Sequence, residues 1–419
     1  MKKLELFRSK RGIYFFLLIC GVILVYSMLI QYNNYKNLIR FDTFDTDAKV
    51  VLQYTKTKDD KTYQVLKLQT KEGLEFYTTK SKSYRNLNQQ IVGVRFWTNK
   101  ITFYSYLTSF YSFTFLYEEK EEDSLKNKLN EKIDNLHEDE NIAAIYKALY
   151  TAKRMDHELQ TTLSTLGISH LLAISGFHLG VLSAVLFFLF RPIYKYFQKR
   201  YFPFSHANRD IFLIVVSLLL VYMLFLDTPP SLLRAFGMLV VGFILHDRGY
   251  KIISMQTLIA TIVLLLCLFP KLFFALGFWL SALGVFYIFL FLIYFKHKSK
   301  IWQFIILPCW VYIMMVPISL YIFGNFNIYH PLSIIWTTAF TLFYPLSILL
   351  HAINLGDIFD TYLLMLLALG DETKIIKISS LIFYVHLVFS FLSVYFNRAF
   401  YILMLFSSVI FGYALFHSI

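Results

Sequence analysis

GISHLLAISGFHLGVLSAVLFF (167–188) is the stretch whose reading decides the class of this protein. It is long enough to cross a bilayer, which takes about 17–25 mainly apolar residues. Its first half carries Ser169, His170, Ser175 and His178. Polar groups at bilayer depth face a bundle interior or a watery cavity. Small residues recur four apart at Gly176, Gly180 and Ala184, so they share one helical face that lets another helix approach closely. Two uses of this polar, small-residue side stay open: interhelical hydrogen bonding at a packed seam, or the lining of a hydrophilic path. His170 and His178 stand eight residues apart. On a regular helix that is about 12 Å, too far to share one metal ion. Ser175 and His178 could pair as nucleophile and base, but no third member that would orient the histidine is visible.

The rest of the chain agrees with a membrane assignment. Of 419 residues, 57% are hydrophobic and 19% aromatic, and only 16% are charged. A soluble domain carries roughly 25% charged residues. The deficit is uneven, because residues 31–168 are polar and residues 169–419 form nearly continuous apolar runs. Spans are expected near 169–190, 210–227, 231–246, 252–269, 273–295, 301–322, 331–352, 376–396 and 399–418. The segment 354–370 is short and acid-bearing, and reads as interfacial or re-entrant. Cation-rich loops (Arg191 to Arg209; Arg248 and Lys251; Lys296 to Lys300) alternate with cation-poor ones such as DTPP (227–230). The positive-inside rule places the rich loops in the cytoplasm and accounts for much of the net charge of +13. The cysteines Cys20, Cys267 and Cys309 all fall in apolar runs and suggest no metal site.

Upstream, Ile13–Ile30 is a further apolar run preceded by Lys2, Lys3, Arg8, Lys10 and Arg11, with no A-x-A site after it. It reads as an uncleaved signal anchor, residues 1–30, with a cytoplasmic N-terminus. Residues 31–168 would then be periplasmic, with a β-domain over 31–117. DAKVVLQYT, TYQVLKLQT, LEFYTT and IVGVRFW are strand-like runs separated by turn-like stretches. Residues 48–100 hold eleven Lys/Arg against four Asp/Glu, with aromatics interleaved. A small OB-like barrel that binds single strands uses this mixture, cations on phosphates and rings on bases. Lys56, Lys58, Lys80, Lys82, Arg85, Arg95 and Trp97 are the candidates. An ordinary β-domain with a solvated basic face is the alternative. ITFYSYLTSFYSFTFLY (101–117) alternates polar and apolar residues and reads as a final strand plus a membrane-surface segment. Residues 118–140 hold ten Asp/Glu against four Lys and open an acidic helical linker, 118–168. The fold class is thus a polytopic α-helical membrane protein with an N-terminal periplasmic small β-barrel. Its core is 169–352, followed by a C-terminal interfacial segment and helices, 353–419.

Two further stretches carry candidates. In LDTPPSLLRAFGMLVVGF (226–243), Arg234 costs at least ~2.5 kcal/mol if left unpaired in lipid. It either snorkels to the surface or acts as a cation at a pore mouth, and Asp227 could be its partner. In LFPKLFFALGFWLSALG (268–284), Gly277, Ser281 and Gly284 form another close-packing face.

HLLAISGFHLG (170–180) resembles the signature segment of the ComEC competence family. PPSLLRAFGM (229–238) resembles that family's S-x-x-R-A-x-x-M segment, and FPKLFFALGFWLSALGVF (269–286) its P-x-x-L-x-x-x-G-F-x-L-S segment. The three occur in the family's order. By motif match, His170, Ser175, Gly176, His178, Ser231, Arg234, Gly277 and Ser281 occupy family positions; these and Gly180 would line a channel or pack its helices. Phe177 stands where Leu is usual, and Trp279 where Gln is common. The resemblance implies an inner-membrane channel that carries single-stranded DNA into the cytoplasm during natural transformation. It implies a periplasmic DNA receptor, a cytoplasmic helicase-like ATPase and a separate nuclease as partners, beside membrane lipid. Many members carry a C-terminal metallo-β-lactamase-like domain, whereas this sequence ends in membrane helices and has no HxHxDH cluster. The expectation is the short form, with no catalysis and no cofactor. A small-molecule or lipid-linked-substrate transporter, or a cell-envelope membrane enzyme, is the alternative. Either would want intramembrane acids, and 169–350 offers few besides Asp227 and Asp247.

Overall fold

A computed structural model describes residues 5–7, 9–58, 61–70, 73–87, 90–120, 125–172, 174, 176–201, 204–370 and 374–418. The chain divides into two compact units. One comprises Ser9–Lys132 with Val263–Ala275; the other comprises Ile133–Ile262 and Leu276–Ile419 with Met1–Arg8.

The first unit opens on helix α1 (Lys10–Leu38), capped by the Ser9 side chain. It is followed by strands β1 (Thr43–Lys58), β2 (Lys61–Thr70), β3 (Glu75–Ser81) and β4 (Ile91–Trp97). Then come a short helix α2 (Phe103–Leu107) and strands β5 (Phe110–Tyr111) and β6 (Thr114–Lys120). The sheet order is β5-β3-β2-β1-β4-β6. β1 is long enough to pair with β2 along one edge and with β4 along the other. β5 runs parallel to β3, and β6, two residues later, runs antiparallel to β4. One chain segment therefore joins both edges of the sheet. The period-2 pattern of the strands sends Val50, Leu66, Leu68, Phe76, Val92, Val94 and Phe96 to one buried side. Phe110 stacks on Phe76 there, ring centroids 5.3 Å apart. Burial of each such side chain is worth roughly 1.5–3 kcal/mol. Leu38 of α1 joins this core, and the Tyr35 hydroxyl donates to the Ile101 carbonyl at 3.0 Å. The stretch 101–117 thus supplies a helix and two strands, because Thr102 and Ser105 form a capping box that starts α2.

The second unit is helical: α3 (Leu125–Asp134) enters it at its last residues, and α4 (Glu140–Thr151), α5 (His157–Thr165) and α6 (Ser169–Leu172) follow. The stretch read as an acidic linker holds α3, α4 and α5, and α4 is buried nearly throughout because its apolar residues outnumber its charges. The long helices are α7 (Gly176–Tyr201), α8 (Ala207–Phe225), α9 (Pro230–Asp247), α10 (Met255–Leu268), α11 (Leu276–Tyr294), α12 (Lys300–Ile322) and α13 (Ser333–Ala352). A 3-10 turn at Gly356–Phe359 leads to α14 (Asp360–Ala368), and the chain ends with α15 (Ser380–Leu392) and α16 (Asn397–Ser418).

Among the described residues seven helices are long and apolar enough to cross a membrane: α1, α7, α8, α11, α12, His330–Ala352 and α16. The protein is therefore a multi-pass membrane protein. Four expected spans differ from their reading. α9, expected as a span over 231–246, is not among the seven. α10 and α15 have 14 and 13 residues, short of a full crossing by themselves. Pro270 opens a 3-10 turn right after α10, which ends the helix early. The span expected at 169–190 is interrupted, with α6 ending at Leu172 and α7 starting at Gly176. The acid-bearing 354–370 contains the 3-10 turn and the nine-residue α14, about 14 Å long at 1.5 Å per residue.

Candidate functional site

The first two quoted segments interlock in the helical unit. The Ser231 hydroxyl at the start of α9 donates to the Ile174 carbonyl at 2.7 Å. A Cβ on Gly176 would stand 2.8 Å from the Ala235 Cβ, so only glycine lets α7 and α9 approach this closely. The expected face of small residues is used at that point alone. Nothing lies within 4 Å of where Cβ atoms would sit on Gly180, Gly277 or Gly284. The buried side of α7 carries His178, Leu179 and Val181 instead. Ser281 is half-buried on α11, which packs on α9. Ser175 lies outside the described residues.

Arg234 lies inside this junction with 2% of its surface exposed. Its guanidinium reaches the Ser231 carbonyl at 3.4 Å, and its Nε has no hydrogen-bond partner among the described residues. Among the described residues no ion pair joins Arg234 to Asp227, which lies in a turn with positive φ angles of 61° at Asp227 and 49° at Thr228. The arginine does not snorkel to the surface.

The two histidines of the opening stretch both reach α13. His170, on α6, places Nε2 3.4 Å from the Thr337 hydroxyl. His178 is buried with its ring edge-on to Phe340 and Tyr344, centroids 5.0 and 4.8 Å away. The Tyr344 hydroxyl is 3.0 Å from that of Tyr222 on α8. Farther along α13, His351 Nε2 is 3.0 Å from His137 Nε2, and His137 Nδ1 is 2.8 Å from Asp360 Oδ2. The Tyr150 hydroxyl is 3.3 Å from His351 Nδ1. His137, Tyr150, Tyr222, Tyr344, His351 and Asp360 carry no local signature, and residues as far as 223 positions apart meet here. Beside them a partly open pocket of about 460 Å³ is lined by apolar side chains such as Ile145, Leu171, Phe343 and Leu363. A second buried polar cluster joins α11, α15 and α16, where the Tyr287 hydroxyl is 2.9 Å from His386 and 2.8 Å from Ser390. Among the described residues no three His, Cys, Asp or Glu side chains are grouped to hold a metal ion.

The sheet unit carries the other candidates. Lys56, Lys82 and Arg85 are exposed, and the Lys58 side chain lies outside the described residues. Lys80 donates to the Thr114 carbonyl at 2.6 Å, and partial burial pulls its ammonium below the usual lysine range. Arg95 grips Asp45 through two bonds of 2.7 and 2.9 Å, and this holds the Asp45 carboxyl below its ordinary value. Arg95 is thus engaged before any ligand arrives. Trp97 is half-buried, with Phe113 at 5.3 Å and Phe115 at 6.2 Å. Tyr111, Phe113, Phe115 and Tyr117 are each more than half exposed along one face of the closing segment. Tyr117 lies flat over Gly93, where a Cβ would fall 2.5 Å from its ring. The signal for this row was the alternation in YSFTFLY (111–117), which puts every second residue on one side.

A model of the family described as competence protein matches residues 150–417. No curated protein and no solved structure matches the chain. The match covers well over half of the sequence and includes α7, α9 and α11 with the segments they carry. This multi-pass membrane protein therefore belongs to the competence protein family, which ties it to DNA uptake in transformation.

Proposed function

We propose that this chain forms the passage by which single-stranded DNA crosses the bacterial inner membrane. One observation carries the reading: Arg234 is buried in the membrane unit, and among the described residues no carboxylate pairs with it. A cation costs free energy in that setting and is retained where it meets an anion in transit. A phosphodiester backbone is such an anion. Gly176 and Ser231, from two segments that resemble family motifs, hold the helices that present it.

The sheet serves as the collecting domain on the periplasmic side, with the N-terminus in the cytoplasm. Its order, with the last segment parallel to β3 and antiparallel to β4, supports an OB-type barrel. Trp97, Phe113, Phe115 and Tyr117 offer rings for unpaired bases, and Lys56, Lys80, Lys82 and Arg85 offer charge for phosphates. The chain passes DNA without cutting it. A DNA receptor, a helicase-like ATPase and a separate nuclease complete the pathway. Intrinsic nuclease activity in the purified chain would overturn that division of labour. A small-molecule or lipid-linked-substrate transporter, or an envelope enzyme, is the second reading. The Asp360–His137 pair, with its histidine buried, favours it, because such chemistry uses a carboxylate paired with a base.

Labelled DNA followed into periplasm and cytoplasm tests the proposal. In Arg234→Gln cells, with the protein at normal levels in the membrane, periplasmic uptake persists and cytoplasmic entry is lost. Normal cytoplasmic entry would sink the role of Arg234.

A further inference from the structure

We propose that His137, His351 and Asp360 form a buried proton-binding site in the membrane unit, in which one added proton is shared between the two imidazoles and balanced by the carboxylate. His351 Nδ1 lies 2.7 Å from the Ser347 carbonyl oxygen. That oxygen only accepts, so Nδ1 carries a hydrogen, and in a neutral ring Nε2 is then a bare lone pair. His137 Nδ1 lies 2.8 Å from Asp360 Oδ2. With the carboxylate ionised, that nitrogen also carries a hydrogen, and His137 Nε2 is likewise bare. Yet the two Nε2 atoms stand 3.0 Å apart, a hydrogen-bond distance at which two lone pairs repel.

A hydrogen between them resolves the geometry. The chain Ser347 O, His351, His137, Asp360 contains three hydrogen bonds and needs three hydrogens. Two neutral imidazoles supply two, and the third is an added proton. Whether it is drawn on His137 or on the carboxyl of Asp360, the total charge of the triad is zero. Neutrality matters because His137 and His351 are 7% and 8% exposed, where an uncompensated charge is costly. Loss of the proton would leave a net negative charge and two opposed lone pairs in the same place.

The surroundings fit a site that holds this pair close. Tyr146 of α4 stacks on His137 with centroids 4.6 Å apart and tilts against His351 at 4.4 Å. A Cβ on Gly356 would fall 2.8 Å from His351 Nε2, so a glycine there leaves room for the contact. Tyr146 and Tyr150 face the triad from α4, and the charge of Asp357 on the 3-10 turn acts on Tyr146. Lys147, also on α4, is engaged by Asp134. Asp360 Oδ1 is buried without a hydrogen-bond partner among the described residues, so Oδ2 carries the carboxylate's bond to the site. The proton thus ties together the segment before α4, the end of α13 and the start of α14.

The test uses the full chain in lipid nanodiscs and a double-variant cycle read by thermal unfolding. His137→Gln presents its amide N–H to only one of its two neighbours, the Asp360 carboxylate or the His351 lone pair, and Asp360→Asn removes the counter-charge, so each lowers the midpoint by several degrees. The double variant restores a chain of hydrogen bonds from Asn to Gln to His351 with no added proton. Its midpoint lies above both single variants. Losses that simply add would overturn the proposal. So would a divalent metal bound in stoichiometric amount, with a chelator lowering the midpoint as much as His351→Gln does. Nitrogen-15 NMR of the wild-type histidines gives an independent reading. Coupling between the two Nε2 atoms across a shared hydrogen is expected, and two unprotonated Nε2 atoms would refute the site.

Discussion

The two units solve burial in opposite ways. In the sheet unit Phe76 and Phe96 are fully buried and Arg95 is exposed. In the helical unit Arg234, His178 and His351 are buried, and Phe188 is 78% exposed. The difference follows from the solvent each surface meets. Water rewards apolar side chains that leave it, so the sheet hides its rings. Lipid offers no such reward, so helices in it associate through close packing and polar contacts, and the apolar side chains face outward. A buried polar residue is therefore ordinary in the helical unit. A buried cation with no carboxylate partner among the described residues is not, and it marks the place where function is to be sought.

Core truncation separates the two units most sharply. Phe76→Ala should cost about 3–5 kcal/mol, as a large buried ring lost from a packed core. Phe188→Ala should change stability by less than ~1 kcal/mol. Thermal and denaturant unfolding in nanodiscs would measure both, and equal losses would break the comparison. Arg234→Met comes next. It should leave the helical unit at least as stable, since a desolvated cation is removed. Cytoplasmic DNA entry should nevertheless fall about a hundredfold, equivalent to roughly 2.7 kcal/mol. A variant that loses stability and uptake together would make Arg234 a structural residue.

On the sheet, Trp97→Ala should weaken single-stranded DNA binding by the full-length chain by about 1–3 kcal/mol. Arg95→Ala should do less, because Asp45 already occupies that guanidinium. Binding titrations at several salt concentrations would compare the two. Gly167 sits at φ +71°, and a Cβ there would stand 2.7 Å from the His330 ring. Gly167→Ala should cost roughly 1–3 kcal/mol through backbone strain and that clash. An unchanged unfolding midpoint would show that His330 can move aside.

The smallest effect is electrostatic. The folded state lowers the Asp45 carboxyl, first through its hydrogen bond to Arg95. A lowered carboxyl binds fewer protons folded than unfolded, so its contribution is present above the ordinary carboxylate range. That contribution is lost as pH falls through the lowered value. The pair is exposed, and so the effect is small. Asp45→Asn should flatten only the acid limb of the unfolding profile, and a change near neutral pH would contradict this origin.

Much of the fold was legible in the chain. The strands of the sheet appeared because alternation is a local property, and β2 buries every second residue over Leu66–Thr70 as its sequence suggests. The long helices appeared because about twenty apolar residues in a row leave few alternatives. Helix ends were harder, since α10 and α15 stop where tertiary contacts and a proline decide. The candidate site was half legible. Arg234, Gly176 and Ser231 were marked by their segments, and the structure brings them together. The outward row at Tyr111, Phe113, Phe115 and Tyr117 was implied by alternation, but its exposure was not.

The sequence by itself determined that this is a membrane protein with a basic, aromatic β-domain near its start, because hydropathy and alternation are summed over neighbours in the chain. It also carried the three segments that point to the competence protein family. Only the tertiary structure decided what those residues meet. His137, His351 and Asp360 come from three separate elements, and nothing near any of them announces the others. Arg234 could equally have reached water, and its burial depends on how α7 and α9 close over Gly176. Long-range packing sets these contacts, and no window of sequence contains it.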